Sequence, residues 1–259
     1  MDTARKTILE IKKLLDMINV EDRIELFVQL ENDPRAGVKK LAKTYRREIE
    51  RVENKKRAQE ELMQYERSLY AQGFNLVAGV DEAGRGALAG PLVAAAVILP
   101  KDANLFGLRD SKQLTPGQRE TFYMKITAVA VAWKTIRVEH HEIDKNGIQW
   151  ANLKALELAA GGLEPAAEYV LSDAFSLRSL DIPHLAITKG DCISLSIAAA
   201  SVIAKVTRDR IMLGYHSDYP YYGFDRHKGY GTPQHIEALG KYGPSPIHRR
   251  YFAPVSQYE

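Results

Sequence analysis

An α/β domain, a mixed sheet covered by helices and preceded by a helical N-terminal region, is the fold class the sequence predicts. Three observations carry it. Apolar runs at residues 76–80 and 92–99 read as the two strands of a hairpin. From there onward, strand-like runs give way to alternating helical patterns, the order that builds a sheet flanked by helices. The first 70 or so residues show helical spacing alone.

In that first region Ile8, Ile11, Leu14, Leu15 and Ile18 recur at helical spacing, as do Ile24, Phe27, Val28 and Leu30, and Asn32-Asp33-Pro34 breaks the pattern. A long polar helix is predicted over 38–70, with Leu41, Tyr45, Ile49 and Val52 as a thin apolar stripe. Residues 35–57 hold ten Lys or Arg against three Glu, a net +7. Such a helix suits a nucleic-acid backbone, and equally a solvated face laced with Glu–Lys pairs. Gly73-Phe74 reads as a C-cap and a boundary, so the expected division is 1–70 and 71–259. Beyond it, strands are predicted at 76–82, 91–99, 130–138, 168–173 and 184–188, and helices near 115–128, 148–161, 193–213 and 233–241.

Composition narrows the function classes. With 45% hydrophobic and 27% charged residues the chain can bury a sizeable core. A net charge of +3 and a pI near 8.8 permit a polyanionic partner without demanding one. Cys192 is the only cysteine, which excludes an intramolecular disulfide and points to a reducing compartment. MDTARKTILE lacks the apolar core of a signal peptide, and no apolar run is long enough for a bilayer, so a cytoplasmic protein is expected.

The chemistry concentrates where the first strand ends. Asp81 and Glu82 close the apolar run, followed by Gly84, Arg85, Gly86 and Gly90. Adjacent acids repel each other and are costly to desolvate unless a cation neutralises them, and alternation along a strand keeps both from facing the core. The glycines admit a ligand close to backbone amides, beside the fixed charge of Arg85. A solvated turn with a capping acid fits the same spacing. Asp173 ends another apolar strand, and Asp191 precedes the helix at 193–213, where Asp is commonly an N-cap. Four acids at element ends in one α/β domain suit a hard divalent cation. On that helix Ser194, Ser201, Lys205 and Arg208 share a polar stripe that is either phosphate-facing or a solvated edge. Tyr230, between Gly229 and Gly231 on narrow, flexible backbone, is placed for stacking on a sugar or base, or else packs on the core. His227, His235 and His248 show no tight ligand spacing and read as structural or phosphate contacts, and Cys192 reads as filler.

GVDEAGRGALAGP, DSKQL at 110–114, KGD followed by SIAAASVIAKVTRDR, and HKGYGTPQH together resemble the bacterial ribonuclease HII family over residues 71–255. The resemblance implies a ribonuclease H-like mixed sheet flanked by helices, with an N-terminal helical extension and a C-terminal helical part. It implies endonucleolytic cleavage of RNA–DNA hybrids and of single ribonucleotides in duplex DNA, leaving a 3′-hydroxyl and a 5′-phosphate. It implies two Mg²⁺ or Mn²⁺ ions on Asp81, Glu82, Asp173 and Asp191. Gly84, Arg85 and Gly86 would read the 2′-hydroxyl, Tyr230 would stack at the junction, and Lys112 and Lys205 would contact phosphates beside Ser201. Ala87 stands where family members often carry Pro, and Ser172-Asp173 where Val-Asp is commoner. The alternatives are a ribonuclease HIII-like hybrid nuclease and a non-catalytic nucleic-acid-binding protein. A monomer acting away from membranes is expected.

Overall fold

The computed structural model describes residues 3, 5–17, 26, 27 and 29–258, in two compact units, Met1–Ala58 and Gln59–Glu259. In the first unit, Ile11 and Leu15 of α1 (Ile8–Met17) cluster with Leu26, Phe27 and Leu30 and with Val38 and Ala42 of α2 (Ala36–Leu62). Ile18, Ile24 and Val28 lie outside the described residues. At the Asn32-Asp33-Pro34 break, Arg35 grips the Asp33 carboxylate and the carbonyls of Thr3 and Lys6, which stops one helical pattern before the next begins.

The polar helix predicted over 38–70 is two helices, α2 and α3 (Gln64–Ala71), because Met63 leaves helical geometry and buries its side chain in the core. Gly73, at φ 98, ends α3 with Phe74 N–H donating to Leu69 O, the expected C-cap. All five predicted strands are present, as β1 (Val77–Ala83), β2 (Leu92–Ile98), β3 (Ala132–Val138), β4 (Tyr169–Asp173) and β5 (His184–Ile187). They form one mixed sheet ordered β3-β2-β1-β4-β5, antiparallel where β1 meets β2 and β2 meets β3, parallel where β1 meets β4 and β4 meets β5. The predicted helices are α4 (Pro116–Val129), α6 (Ile148–Gly161), α7 (Leu195–Asp218) and α9 (Pro233–Tyr242). Two short helices were not expected, α5 (His140–Asn146), started by a Glu139–Glu142 capping box, and α8 (Phe224–His227). None of the described helices is long and apolar enough to cross a membrane.

Side-chain alternation divides the sheet between two cores. Ala78, Val80, Ala94, Ala96 and Ile98 face α6, whereas Ala83, Ala95 and Val97 face α7 and α4. Helix α7 rests directly on β1: a Cβ at Gly79 would lie 2.0 Å from the Ser196 carbonyl carbon. That contact seats the helix beside the end of the strand that carries Asp81.

Glu66, buried on α3, fastens the start of α7. Its Oε1 accepts from Ser194 Oγ at 2.7 Å, Ser196 N at 2.9 Å and Ser196 Oγ at 2.6 Å. Removing the acceptor leaves Ser196 N–H buried without a partner and the two hydroxyl donors with only each other, 3.2 Å apart. Glu66→Ala is expected to cost about 3 kcal/mol in urea denaturation, whereas an exposed site such as Glu60 should tolerate the same change.

Candidate active site

Parallel pairing brings two acids together. Val80 of β1 is in register with Ser172 of β4, so Asp81 and Asp173 are the next residues at the same sheet edge. Asp191 comes from the Gly190–Cys192 turn before α7. The turn is drawn in by Gly190 N–H, which donates to Asp173 Oδ1 at 2.7 Å. The N-cap of α7 is Ser194, accepting from Ile197 N, so Asp191 is not consumed as a cap. Carboxylate oxygens of Asp81, Asp173 and Asp191 lie within 4.8 Å of one another. Glu82 stands outside that trio, as strand alternation requires, yet close enough for its charge to be opposed by Asp173.

These acids are ill at ease as bare carboxylates. Burial, then the charges of Glu82 and Asp173, push Asp81 well above the ordinary carboxylate range. Burial and Asp173 raise Glu82 to about 7, against the pull of Arg85 and Lys112. Burial also raises Asp173 and Asp110. Lys112 is the cation at hand, with Nζ 3.4 Å from Asp191 Oδ2 and 3.9 Å from Asp110 Oδ1. Burial opposes its charge, but Asp110, Asp191 and Asp81 outweigh that and raise its pKa. Glu82 Oε2 and both amide atoms of Asn152 are buried with no hydrogen-bond partner among the described residues. An all-oxygen set with surplus negative charge and an orphaned carboxylate oxygen fits a divalent cation.

A cavity of about 710 Å³ opens over Asp81, Glu82 and Asp173, with Asp191 outside its lining. Asp81, Glu82, Gly84, Arg85, Gly86, Lys112, Asp173, Ser201, Lys205 and Tyr230 all line it. Gly84 has φ +92, and a Cβ there would strike Arg208 Nε at 1.9 Å, so the fold itself demands glycine. Gly86 is exposed, and a Cβ there would meet nothing within 4 Å, so protein packing does not demand its glycine. Arg85 is held at the rim by Gln149 Oε1 at 3.0 Å, with its guanidinium 5.0 Å from the Phe175 ring. Ala87 closes the turn, its N–H donating to Gly84 O at 3.3 Å, a bond that Pro could not make.

Two readings of the sequence need correction. The stripe on α7 does not face solvent or phosphate throughout: Ser194 and Arg208 are fully buried, and Ser201 is paired with Ser111 Oγ at 2.8 Å. Only Lys205 keeps a partly open cation, ion-paired with Asp209 at 2.8 Å. Nor is the Tyr230 backbone flexible. Gly229, at φ +83, is pinned so closely that a Cβ would be 2.6 Å from Ala89 O, and Tyr230 bridges to Ala87. The ring carries two cations, Lys205 Nζ at 5.3 Å and Arg208 Cζ at 5.2 Å from its centroid.

Two buried arginines hold this assembly together, a role that sequence pattern alone does not reveal. Arg208 donates to the carbonyls of Pro91, Lys228 and Ala89. Arg249 donates to Gly90 O at 3.1 Å, Arg85 O at 2.9 Å and Gly84 O at 2.8 Å, although burial and Arg208 lower its pKa to about 9. Asp110 is a third such residue: its Oδ1 accepts from Lys112 N at 3.0 Å and so fixes the backbone that carries the Lys112 cation.

Residues 78–255 match the ribonuclease HII family, and residues 7–70 match the ribonuclease HII N-terminal domain. Ribonuclease HII of Bacillus licheniformis is 47% identical over 254 residues, covering 98% of each chain. That of Geobacillus kaustophilus is 49% identical over 254 residues, covering 98% of this chain and 96% of the relative. Among solved structures, the ribonuclease H2 of Pyrococcus horikoshii OT3 superposes with a TM-score of 0.60 at 30% identity, covering 71% of this chain and 96% of that one. The chain belongs to the ribonuclease HII family and is a hydrolase of the ribonuclease H type.

Proposed function

We propose that the enzyme is a metal-dependent endonuclease that cuts the RNA strand of RNA–DNA hybrids and also cuts at single ribonucleotides embedded in duplex DNA, leaving a 3′-hydroxyl and a 5′-phosphate. The observation that carries this reading is the convergence of Asp81, Glu82, Asp173, the glycine–arginine turn, Lys112, Lys205 and Tyr230 on one cavity, with Asp191 joined to Asp81 and Asp173 within 4.8 Å. Asp81, Glu82, Asp173 and Asp191 would hold two Mg²⁺ or Mn²⁺ ions. When bound, such ions activate a water and neutralise the leaving oxygen of an in-line displacement. Lys112, released from Asp191, and Lys205 hold phosphate oxygens as point charges, and Ser201 shapes the cavity wall between them. Arg249 occupies the carbonyls of Gly84 and Arg85, leaving the amide side of the turn for the 2′-hydroxyl, with the space over Gly86 kept clear for the ribose. Tyr230 packs on the adjoining deoxyribose. In this reading the protein works as a monomer in the cytoplasm, in a compartment that keeps Cys192 reduced.

The test is cleavage of a labelled RNA–DNA hybrid, and of a duplex carrying one ribonucleotide, with Mg²⁺, with Mn²⁺ and with a chelator. Cleavage of both substrates with either ion, and none with the chelator, is expected. Cutting of the hybrid alone would mark a ribonuclease HIII-like enzyme. Binding without metal-dependent cleavage would mark a non-catalytic protein, although acids beside a phosphate backbone give such a protein only repulsion.

Residues 1–70 are proposed to add affinity without sequence preference, through the exposed cations of α2. The triple variant Lys39→Gln, Lys43→Gln, Arg47→Gln should weaken binding to every duplex alike. It should also flatten the salt dependence by about 0.9 for each duplex phosphate that is no longer neutralised. Binding isotherms at several salt concentrations check this, and unchanged slopes would leave the helix merely solvated.

A further inference from the structure

Spacing along the chain reads His227, His235 and His248 only as structural or phosphate contacts, and the structure gathers them behind Tyr230. His235 and His248 are fully buried. Their Nε2 atoms are 2.9 Å apart, and the rings of His227 and His235 stack at 4.5 Å. The backbone fixes every proton in this group. His248 Nδ1 has Ser245 Oγ at 2.7 Å and accepts from Ser245 N–H at 2.9 Å, and since the amide can only donate, the His248 proton is on Nε2. That N–H can only donate to His235 Nε2, which puts the His235 proton on Nδ1, 3.0 Å from Tyr230 O. Gly229 N–H likewise donates to His227 Nδ1 at 3.2 Å, leaving His227 Nε2–H for Tyr222 O at 2.7 Å. Tyr230 N–H is held by His227 O at 3.0 Å. The backbone on both sides of the tyrosine is therefore tied to imidazoles in one set of tautomers.

A proton added to this pair disrupts the chain. A cationic His235 would point Nε2–H at the Nε2–H of His248, and a cationic His248 would give up the Ser245 amide and turn Nδ1–H to Ser245 Oγ, 2.7 Å away. The surroundings oppose both: burial and His227 hold His235 down to about 4, and burial, His235, Arg250 and His140 hold His248 to about 3. Phe224, edge-on to His235 at 5.5 Å and stacked with Tyr222 at 5.4 Å, supplies an apolar casing.

We propose that His248 and His235 are positioning residues, a one-directional relay of neutral tautomers that aims Tyr230 and thereby sets how well the enzyme distinguishes an embedded ribonucleotide from a continuous hybrid. This rests on the reading that Tyr230 contacts the junction, and the experiment separates the two claims. In the wild-type protein, ¹⁵N NMR should show His235 protonated on Nδ1 and His248 on Nε2, both unchanged from neutral pH down to about 5.5, below the ordinary histidine range. Kinetics should show that His248→Phe, which keeps a ring but cannot donate, lowers the ratio of kcat/KM on the embedded substrate to that on the hybrid by about fivefold, the size of one missing hydrogen bond. His248→Gln, which can donate again, should recover most of that ratio, and His248→Phe should change it no further in a Tyr230→Ala background. The opposite tautomers, or a cationic histidine of this pair at neutral pH, would overturn the relay even if His248→Phe fails to fold. A ratio that moves with Tyr230→Ala but not with a folded His248→Phe would also overturn it. If Tyr230→Ala leaves the ratio unmoved, the junction reading and the specificity claim fall together, and the tautomers alone decide the relay.

Discussion

Asp81→Asn, Glu82→Gln, Asp173→Asn and Asp191→Asn are each expected to lower turnover by about a thousandfold or more, the several kcal/mol that a bound metal contributes to such a transition state. The fold should survive each change. Asn retains the oxygen that accepts Glu82 N–H at position 81, and the one that accepts Gly190 N–H at position 173. Binding of the hybrid should be unchanged or tighter, since each substitution removes a carboxylate that repels phosphate. The same electrostatics predict a thermal signature. In chelator the variants at 81, 82 and 173 should melt no lower than wild type, because burial and mutual repulsion already tax Asp81, Glu82 and Asp173. Added Mn²⁺ should raise the Tm of the wild type more than that of any variant, by the mass action of a ligand that binds the native state. Turnover, binding and melting measured on one set of proteins separate a missing ligand from a damaged fold. Near wild-type turnover in Asp173→Asn would remove that residue from the proposed ligand set.

Much of this site was legible because strand ends leave a simple mark, an apolar run stopped by an acid. Val77–Ala83 and Tyr169–Asp173 both show it, and each strand was found within a residue of its predicted bounds. What no single run could reveal was the parallel pairing that puts Asp81 beside Asp173. The polar stripe on α7 failed for a different reason. Periodicity identifies a solvent-facing side only when a helix has one, and every residue from Leu195 to Ala204 is buried. Ser194 and Arg208 are polar there because they bond to buried partners, Glu66 and three carbonyls, rather than to water. Such partners are remote in sequence: Arg249 reaches Gly84 across 165 residues. The break of the polar helix at Met63 was hidden likewise, since only the core into which Met63 turns makes it a corner.

Tyr230→Ala is expected to lose far more activity on a duplex with one embedded ribonucleotide than on a uniform RNA–DNA hybrid. The only chemical mark of a lone ribonucleotide is its 2′-hydroxyl, which the glycine turn is proposed to read but which a continuous hybrid offers at every step. A contact on the neighbouring sugar that favours deoxyribose turns recognition of RNA into recognition of an RNA-to-DNA step. Tyr230 has the geometry for it. Its backbone bridges Ala87, just beyond the turn, and Lys205 and Arg208 steady its ring at 5.3 and 5.2 Å. Removing a stacked ring costs about 1–3 kcal/mol, roughly fivefold to more than a hundredfold in rate. That cost should fall mainly on the embedded substrate, because a hybrid lets the enzyme settle wherever the remaining contacts are best. Tyr230→Phe, which keeps the ring, should retain most of the preference. Parallel measurement of kcat/KM on the two substrates decides the matter. Equal losses on both would mean that Tyr230 only shapes the cavity, and the step would then have to be read by the turn at Gly84–Gly86 alone.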